Sequence, residues 1–294
     1  MLYKQDYVVI GGDERLANAA IFLQKHGHGV SVFANDSAAK QSGVCVCKNL
    51  KEAMSADRVI FGIPFSRDGE AVFAPLSHEH IVIDDVVSEV MPHHVIFGGK
   101  MSPYSLSIAK RGAICHDYLL REDFCLYNAD VTAEAIVSIV MNNLPVVLKG
   151  TACLVMGYGR IGKALSEKLS SLGVRVVVSA RKSADFAAIS LRGFKWVRTG
   201  DKIDNGEAYD FIVNTVPHKV LNAASFANLK KECLVIDASA YPGFVDAAEA
   251  GQSGIKVLGA FSLPGKYAPV TSGKIIADVT ENIERTEKAE KTEK

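Results

Sequence analysis

A chain of 294 residues has room for two α/β domains, and its 33 basic and 33 acidic residues cancel, which argues against a nucleic-acid or polyanion partner beyond a local site. The six cysteines (Cys45, Cys47, Cys115, Cys125, Cys153 and Cys233) show neither C-x-x-C nor metal-ligand spacing, so free, mostly buried thiols in a reducing compartment and no metal are expected. The start MLYKQDYVVIGG lacks the basic lead and apolar core of a signal peptide, which predicts a cytosolic protein. The charged end 285–294 reads as a disordered tail.

In chain order, apolar runs predict strands at Tyr7–Ile10, Val30–Phe33, Val59–Ile63, Ile81–Val86 and Val95–Phe97, with a helix at Leu16–Leu23. The first turn, Gly11-Gly12-Asp13-Glu14-Arg15-Leu16, would need glycines at 11, 13 and 16 to hold a dinucleotide; Asp13 and Leu16 break that spacing. A pyrophosphate would meet the Asp13 carboxylate, so residues 1–129 are read as a substrate-side domain. Arg15 opens a helix, against the helix dipole, which favours an anionic ligand beside it. Gly12, Asp13, Arg15, Ser66 and Arg67, with Lys100, are the candidate strand-end residues for a small dicarboxylate. His93 and His94 precede a strand at its amino end and, like His78 and His80, read as structural.

The pattern Val131–Val147 predicts a helix joining the halves, with Asp130 or Thr132 as N-cap and Gly150 as stop. Asn142, Asn143 and Pro145 interrupt its apolar part, Ala135–Leu148, which is too short to span a bilayer. The second domain is expected over 130–272, and a helix at 273–284 is placed to cross back to the first.

The segment TACLVMGYGRIGKALSEKLSSLGVRVVVSARKS, residues 151–183, reads as strand, glycine turn, helix and strand. Gly157, Gly159 and Gly162 give G-x-G-x-x-G directly after the strand Ala152–Met156, so Tyr158, Arg160 and Ile161 lie in a phosphate-binding turn at a helix N-terminus. An NAD site places an acid at the end of the second strand, Val174–Val178, to hold the ribose 2′-hydroxyl. Here that end is Ser179-Ala180-Arg181-Lys182-Ser183, and its cations and hydroxyls suit the 2′-phosphate of NADP(H). Further strands are expected at Phe211–Val213, Leu234–Ile236 and Val257–Leu258. Their ends put Asn214, Thr215, Val216 and Pro217, then Asp237 and Ser239, on the cofactor side. His218 is the imidazole nearest that edge, for proton transfer or for a cap or surface role. The whole reads as α/β: two Rossmann-like, doubly wound parallel-sheet domains facing a central cleft.

The turn GGDER, the segment REDFCLYNADVTAEA, the turn GYGRIG, the basic ARKS, the edge NTVP and LPGKYAPVTSG together resemble the A-subunit family of dipicolinate synthase, over nearly the whole chain. The resemblance implies NADP-dependent oxidation of dihydrodipicolinate, or of its 4-hydroxy-tetrahydro precursor, to pyridine-2,6-dicarboxylate. It also implies a flavoprotein-like partner, the B-subunit, in a hetero-oligomer, and the mother-cell cytoplasm of a sporulating bacterium, on a branch of the lysine pathway. It carries Gly12, Asp13, Arg15, Asn128, Thr132, Glu134 and Lys266 onto the substrate site. Glu134 is either a carboxylate acting in the elimination of water or a helix cap. Two other readings stay open: an NADP-dependent reductase of a 2-oxo or imino acid, and a non-catalytic module that senses NADP(H).

Overall fold

The computed structural model describes residues 6–292 apart from 202, 204, 205 and 241. The chain divides into two compact units, one of residues 1–128 with 264–294 and the other of residues 129–263.

Each unit is built on a six-stranded, all-parallel sheet. The first comprises β1 (Tyr7–Ile10), β2 (Val30–Phe33), β3 (Cys45–Val46), β4 (Arg58–Phe61), β5 (Val95–Gly98) and β6 (Ile114–Asp117), in the order β3-β2-β1-β4-β5-β6. The second comprises β7 (Ala152–Met156), β8 (Arg175–Ala180), β9 (Lys195–Arg198), β10 (Phe211–Asn214), β11 (Leu234–Asp237) and β12 (Lys256–Gly259), in the order β12-β11-β10-β7-β8-β9. Both are the doubly wound Rossmann arrangement, in which the order reverses beside the first strand and opens a crevice at the strand ends. Helices cover both faces, so the central strands are apolar without alternation: β1, β7 and β10 are buried at every residue.

Of Ile81–Val86, expected as a strand, residues 83–86 instead begin the helix Ile83–Glu89, while Val82 only forms an isolated antiparallel bridge with Ala71. Asp84 and Asp85 fall in its first turn, where the helix dipole favours carboxylates. A short apolar run does not by itself separate the two states. The expected linking helix begins earlier, and Glu122–Asn143 is one continuous helix. It gives Phe124 to the core of the first unit and Ile136 and Val140 to that of the second. By length and apolarity this helix is long enough to cross a membrane, yet 56% of that window is buried within the protein. The last helix, Pro269–Thr292, belongs to the first unit and continues into the charged segment expected to be disordered; residues 293 and 294 lie outside the described ones. Glu, Lys and Ala are good helix formers, and Glu287 pairs with His116 at 2.9 Å. Of the six free cysteines, Cys125, Cys153 and Cys233 are buried, whereas Cys45 is exposed on an edge strand.

His94 is fully buried, with both ring nitrogens engaged: Nδ1 accepts from the Met91 N–H at 3.0 Å and Nε2 faces the Met54 carbonyl at 2.9 Å. This pattern requires the neutral ring protonated on Nε2, and burial together with the neighbouring His93 lowers its pKa. On acidification below about 6.5 the unfolded chain takes up this proton before the folded one, so stability present at pH 7.5 is lost as the pH falls. The slope is up to ~1.4 kcal/mol per pH unit for one such group. Urea unfolding at pH 7.5 and 5.5 should show that loss in the wild type and a smaller one in His94→Gln; equal losses would discard this assignment.

Candidate functional site

In the second unit the chain leaves β7 at Gly157 (φ 98°) and enters the helix Arg160–Ser171 through Gly159. The three glycines meet three different constraints. A Cβ on Gly157 would lie 2.7 Å from Thr215 Oγ1, and one on Gly162 would lie 2.1 Å from the Gly157 carbonyl oxygen. On Gly159 it would meet nothing within 4 Å. Gly157 thus makes the turn, Gly162 lets the helix pack on it, and Gly159 leaves bare backbone at the helix entrance. The helix N-terminus has no side-chain cap hydrogen bond, and its dipole favours an anion there. A dinucleotide's pyrophosphate fits this arrangement. Tyr158, between the first two glycines, is buried in the core with its hydroxyl unpartnered among the described residues. Arg160 and Ile161 form the first turn of the helix.

Met156 pairs with Ser179 across β7 and β8. Ser179, expected as a phosphate donor, is buried: its Oγ receives the Gly157 N–H at 3.3 Å and lies 2.9 Å from Thr199 Oγ1. It braces the glycine turn from inside the sheet. Arg181, Lys182 and Ser183 are exposed, and Lys182 sits at the N-cap of the helix Ser183–Leu191 without a side-chain bond.

The residues after β10 and β11 form an internal network. Asn214 is fully buried; its Nδ2 donates to Asp237 Oδ1 at 3.1 Å and to the Val216 carbonyl at 3.2 Å, and its Oδ1 accepts from the Val216 N–H. Asp237, 2% exposed, also accepts from Ser239 Oγ at 2.6 Å and from the N–H groups of Phe244 at 2.6 Å and Val245 at 2.8 Å. Asn214, Asp237 and Ser239, expected to touch the cofactor, have these groups engaged in shaping the two loops. Thr215 bonds the Met156 carbonyl at 2.8 Å, which draws the β10 loop onto the glycine turn. Pro217 and His218 are exposed beyond it, the His218 ring 6.3 Å from that of Phe244.

The turn after β1 in the first unit is built differently. Gly11 (φ 62°) and Gly12 (φ 75°) are overlaid by the loop after β4, since the Gly12 N–H donates to the Phe73 carbonyl at 2.7 Å. Asp13 caps the helix Glu14–Lys25 and grips Arg15, with Nε to Oδ1 and Nη2 to Oδ2 both at 2.9 Å. Arg15 is 7% exposed and also donates to the Ile63 carbonyl. Asp13, two residues away, offsets the unfavourable placement of the Arg15 charge at the helix start. The LPGKYAP segment packs here, a Cβ on Gly265 lying 2.7 Å from Asp13 Oδ2, and Lys266 is exposed beside it. Ser66 bonds Asp68 at 3.0 Å, and Arg67 stacks over Phe73 at 4.0 Å with its side chain on the surface. Lys100 adopts φ 58° because its N–H is held by Asp117 at 3.2 Å.

Asn128, half-buried, is the last residue of the first unit before the crossing helix enters the second. Thr132 is buried in the interior of Glu122–Asn143, so neither Thr132 nor Asp130 is a cap. Glu134 lies mid-helix too, which removes its capping alternative; it is exposed, 3.6 Å from Lys168, which bonds Asp130 at 3.0 Å.

Sequence reasoning passed over His26 and His28, which flank Gly27. Both imidazoles meet Glu281 of the last helix, at 3.1 and 2.9 Å. With Asp278, His26 and Glu281 place ligand atoms within 4.8 Å of one another. Asp278 is also paired with Lys274, so these donors already have protein partners and read as a clasp holding the last helix to the first unit.

The family model for the N-terminal domain of the dipicolinate synthase A-subunit matches residues 6–119, and the one for the NAD binding domain of S-adenosyl-L-homocysteine hydrolase matches residues 128–259. Over 289 residues the chain is 28% identical to the dipicolinate synthase A-subunit of Bacillus subtilis (strain 168), covering 96% of this chain and 97% of the relative. The solved dipicolinate synthase A chain of Bacillus subtilis superposes with a TM-score of 0.85 at 27% identity, covering 99% of both chains. The A-subunit structure from Bacillus halodurans gives 0.83 at 27%, covering 96% of this chain and 98% of that one. A transhydrogenase from Sinorhizobium meliloti, 15% identical with a TM-score of 0.65 over 94% of each chain, shares the fold. The second unit is therefore a nicotinamide-nucleotide-binding type of Rossmann domain, and the chain has a dehydrogenase-like plan. Along its whole length the chain is similar to the dipicolinate synthase A-subunit, and residues 6–119 match the model of that protein's N-terminal domain.

Proposed function

We propose that the chain is the dehydrogenase component of a dipicolinate synthase. In this reading it oxidises dihydrodipicolinate, or the 4-hydroxy-tetrahydro precursor after loss of water, with NADP⁺, alongside a flavoprotein-like B-subunit in the cytoplasm of a sporulating mother cell. The observation that carries it is a relationship to the A-subunit over the whole chain, joined to a glycine turn whose neighbouring strand ends in exposed Arg181 and Lys182 with no acid.

NADP⁺, when bound, accepts the hydride that the dihydropyridine ring gives up on becoming aromatic. The chain's own part is orientation and removal of one proton. Gly159 and the uncapped helix amides would hold the pyrophosphate, and Arg181, Lys182 and Ser183 the 2′-phosphate. Thr215 and Pro217 follow β10 on the side where the nicotinamide would lie, with His218 next as the proton acceptor. Arg67, Lys100 and Lys266 are the exposed cations of the first unit assigned to the substrate carboxylates.

Purified chain should be mixed with NADP⁺ or NAD⁺ and freshly made aldol-condensation product, with and without the flavoprotein-like partner, and the pyridine absorbance followed. The expected result is pyridine formation faster with NADP⁺ than with NAD⁺. No pyridine in any mixture would remove the enzyme assignment, and a preference for NAD⁺ would remove the reading of the basic turn.

A further inference from the structure

Beyond Arg181 and Lys182, the end of β9 brings a third cation to the same edge. In the β8–β9 register Ala180 lies opposite Arg198, and the Thr199 N–H donates to the Ala180 carbonyl at 2.8 Å. Arg198 is therefore next to the residue that leads directly into Arg181-Lys182. Its guanidinium lies 5.2 Å from the ring centroid of Phe186, in the first turn of Ser183–Leu191, and Phe186 in turn stacks on Trp196 at 4.1 Å and 17°. Trp196 and Arg198 are two residues apart in one strand and so share a face of the sheet. A half-exposed tryptophan on an edge strand thus backs the aromatic ring over which the arginine is held.

A guanidinium held over a ring is oriented through its π-face, which leaves its N–H fork for a planar or phosphate acceptor. The one carboxylate of the 181–186 turn, Asp185, pairs with none of these three cations among the described residues. We infer that Arg198 is a specificity-determining residue that closes the ribose 2′-phosphate site from the β9 side, opposite Arg181, Lys182 and the amides opening Ser183–Leu191. The inference depends on the NADP⁺ reading proposed above and adds to it a residue from a different strand.

The test is calorimetric titration of the full chain with adenosine 2′,5′-bisphosphate and with ADP, which carries no 2′-phosphate. Wild type, Arg198→Gln and Arg198→Lys are compared, each first shown to melt at the wild-type temperature. A charge-assisted bond to phosphate is worth about 10- to 100-fold in affinity. Arg198→Gln is therefore expected to bind the bisphosphate at least ~10-fold more weakly with ADP unchanged within about twofold, and Arg198→Lys to fall between. If the wild type prefers the bisphosphate but Arg198→Gln binds it equally well, Arg198 has no such role while the NADP⁺ reading stands. If both ligands weaken together, Arg198 shapes the adenosine surface instead and the inference is overturned. If the wild type does not prefer the bisphosphate over ADP, the NADP⁺ reading fails and this one with it.

Discussion

Asp237→Ala is expected to cost about 4 kcal/mol or more of unfolding free energy and to loosen the loops that follow β10 and β11. Hydrogen bonds to a charged group contribute about 1.5–3 kcal/mol each, and this buried carboxylate receives them from Asn214, Ser239, Phe244 and Val245. Truncation leaves those donors facing a void at a site only 2% exposed. Asp237→Asn keeps the volume but turns an amide NH₂ toward donors, so it should recover only part of the loss. Urea denaturation of the three proteins measures this directly, and a cost for Asp237→Ala below ~1 kcal/mol would show the network to be incidental.

The second large effect separates two glycines of one turn. Gly162→Ala drives a methyl to 2.1 Å from the Gly157 carbonyl oxygen, a backbone atom that moves only if β7 and the helix part. Overpacking of this kind costs about 1–3 kcal/mol, and the same shift displaces the amides that would hold a phosphate, so stability and nucleotide affinity should fall together. Gly159→Ala meets no atom within 4 Å, and its φ of −79° suits any residue, so its stability should stay within ~0.5 kcal/mol of wild type. Its methyl would nonetheless stand where the pyrophosphate approaches, so NADPH affinity should drop at least ~10-fold without a change in melting. Unaltered NADPH binding by Gly159→Ala would place the pyrophosphate elsewhere.

What could be read from the sequence follows burial. The central strands are continuous apolar runs because both of their faces are covered, and they stand out as such. The strands that escaped, β3, β6 and β9, are all edge strands: Cys45-Val46 is exposed, Ile114-Cys115-His116-Asp117 carries polar residues, and Lys195–Arg198 is exposed throughout. An edge strand has fewer neighbours to demand apolar side chains, so its composition resembles a loop. Missing β9 also hid Arg198, whose position beside Ala180 exists only in the strand pairing.

The glycine turn after β7 was legible because its constraints are local, three glycines within six residues. The internal pairing of the charged turn in the first half was not legible, for the opposite reason. Spacing cannot tell whether Arg15 faces a ligand or folds back onto Asp13, and the answer depends on Gly265, some 250 residues later. Asp237 shows the same limit: a carboxylate at a strand end suits a ribose or a buried network equally well until the N–H groups of Phe244 and Val245 are seen to bond it.

The last helix, with Glu281 on His26 and His28 and Glu284 on Tyr7 and Arg58, belongs to the same unit as the first strand. The second unit is thus an uninterrupted stretch set inside a split one. As the chain emerges from a ribosome, every residue of the nucleotide-type domain is available before the first unit has its closing helix. The half that begins synthesis first is the half that is finished last.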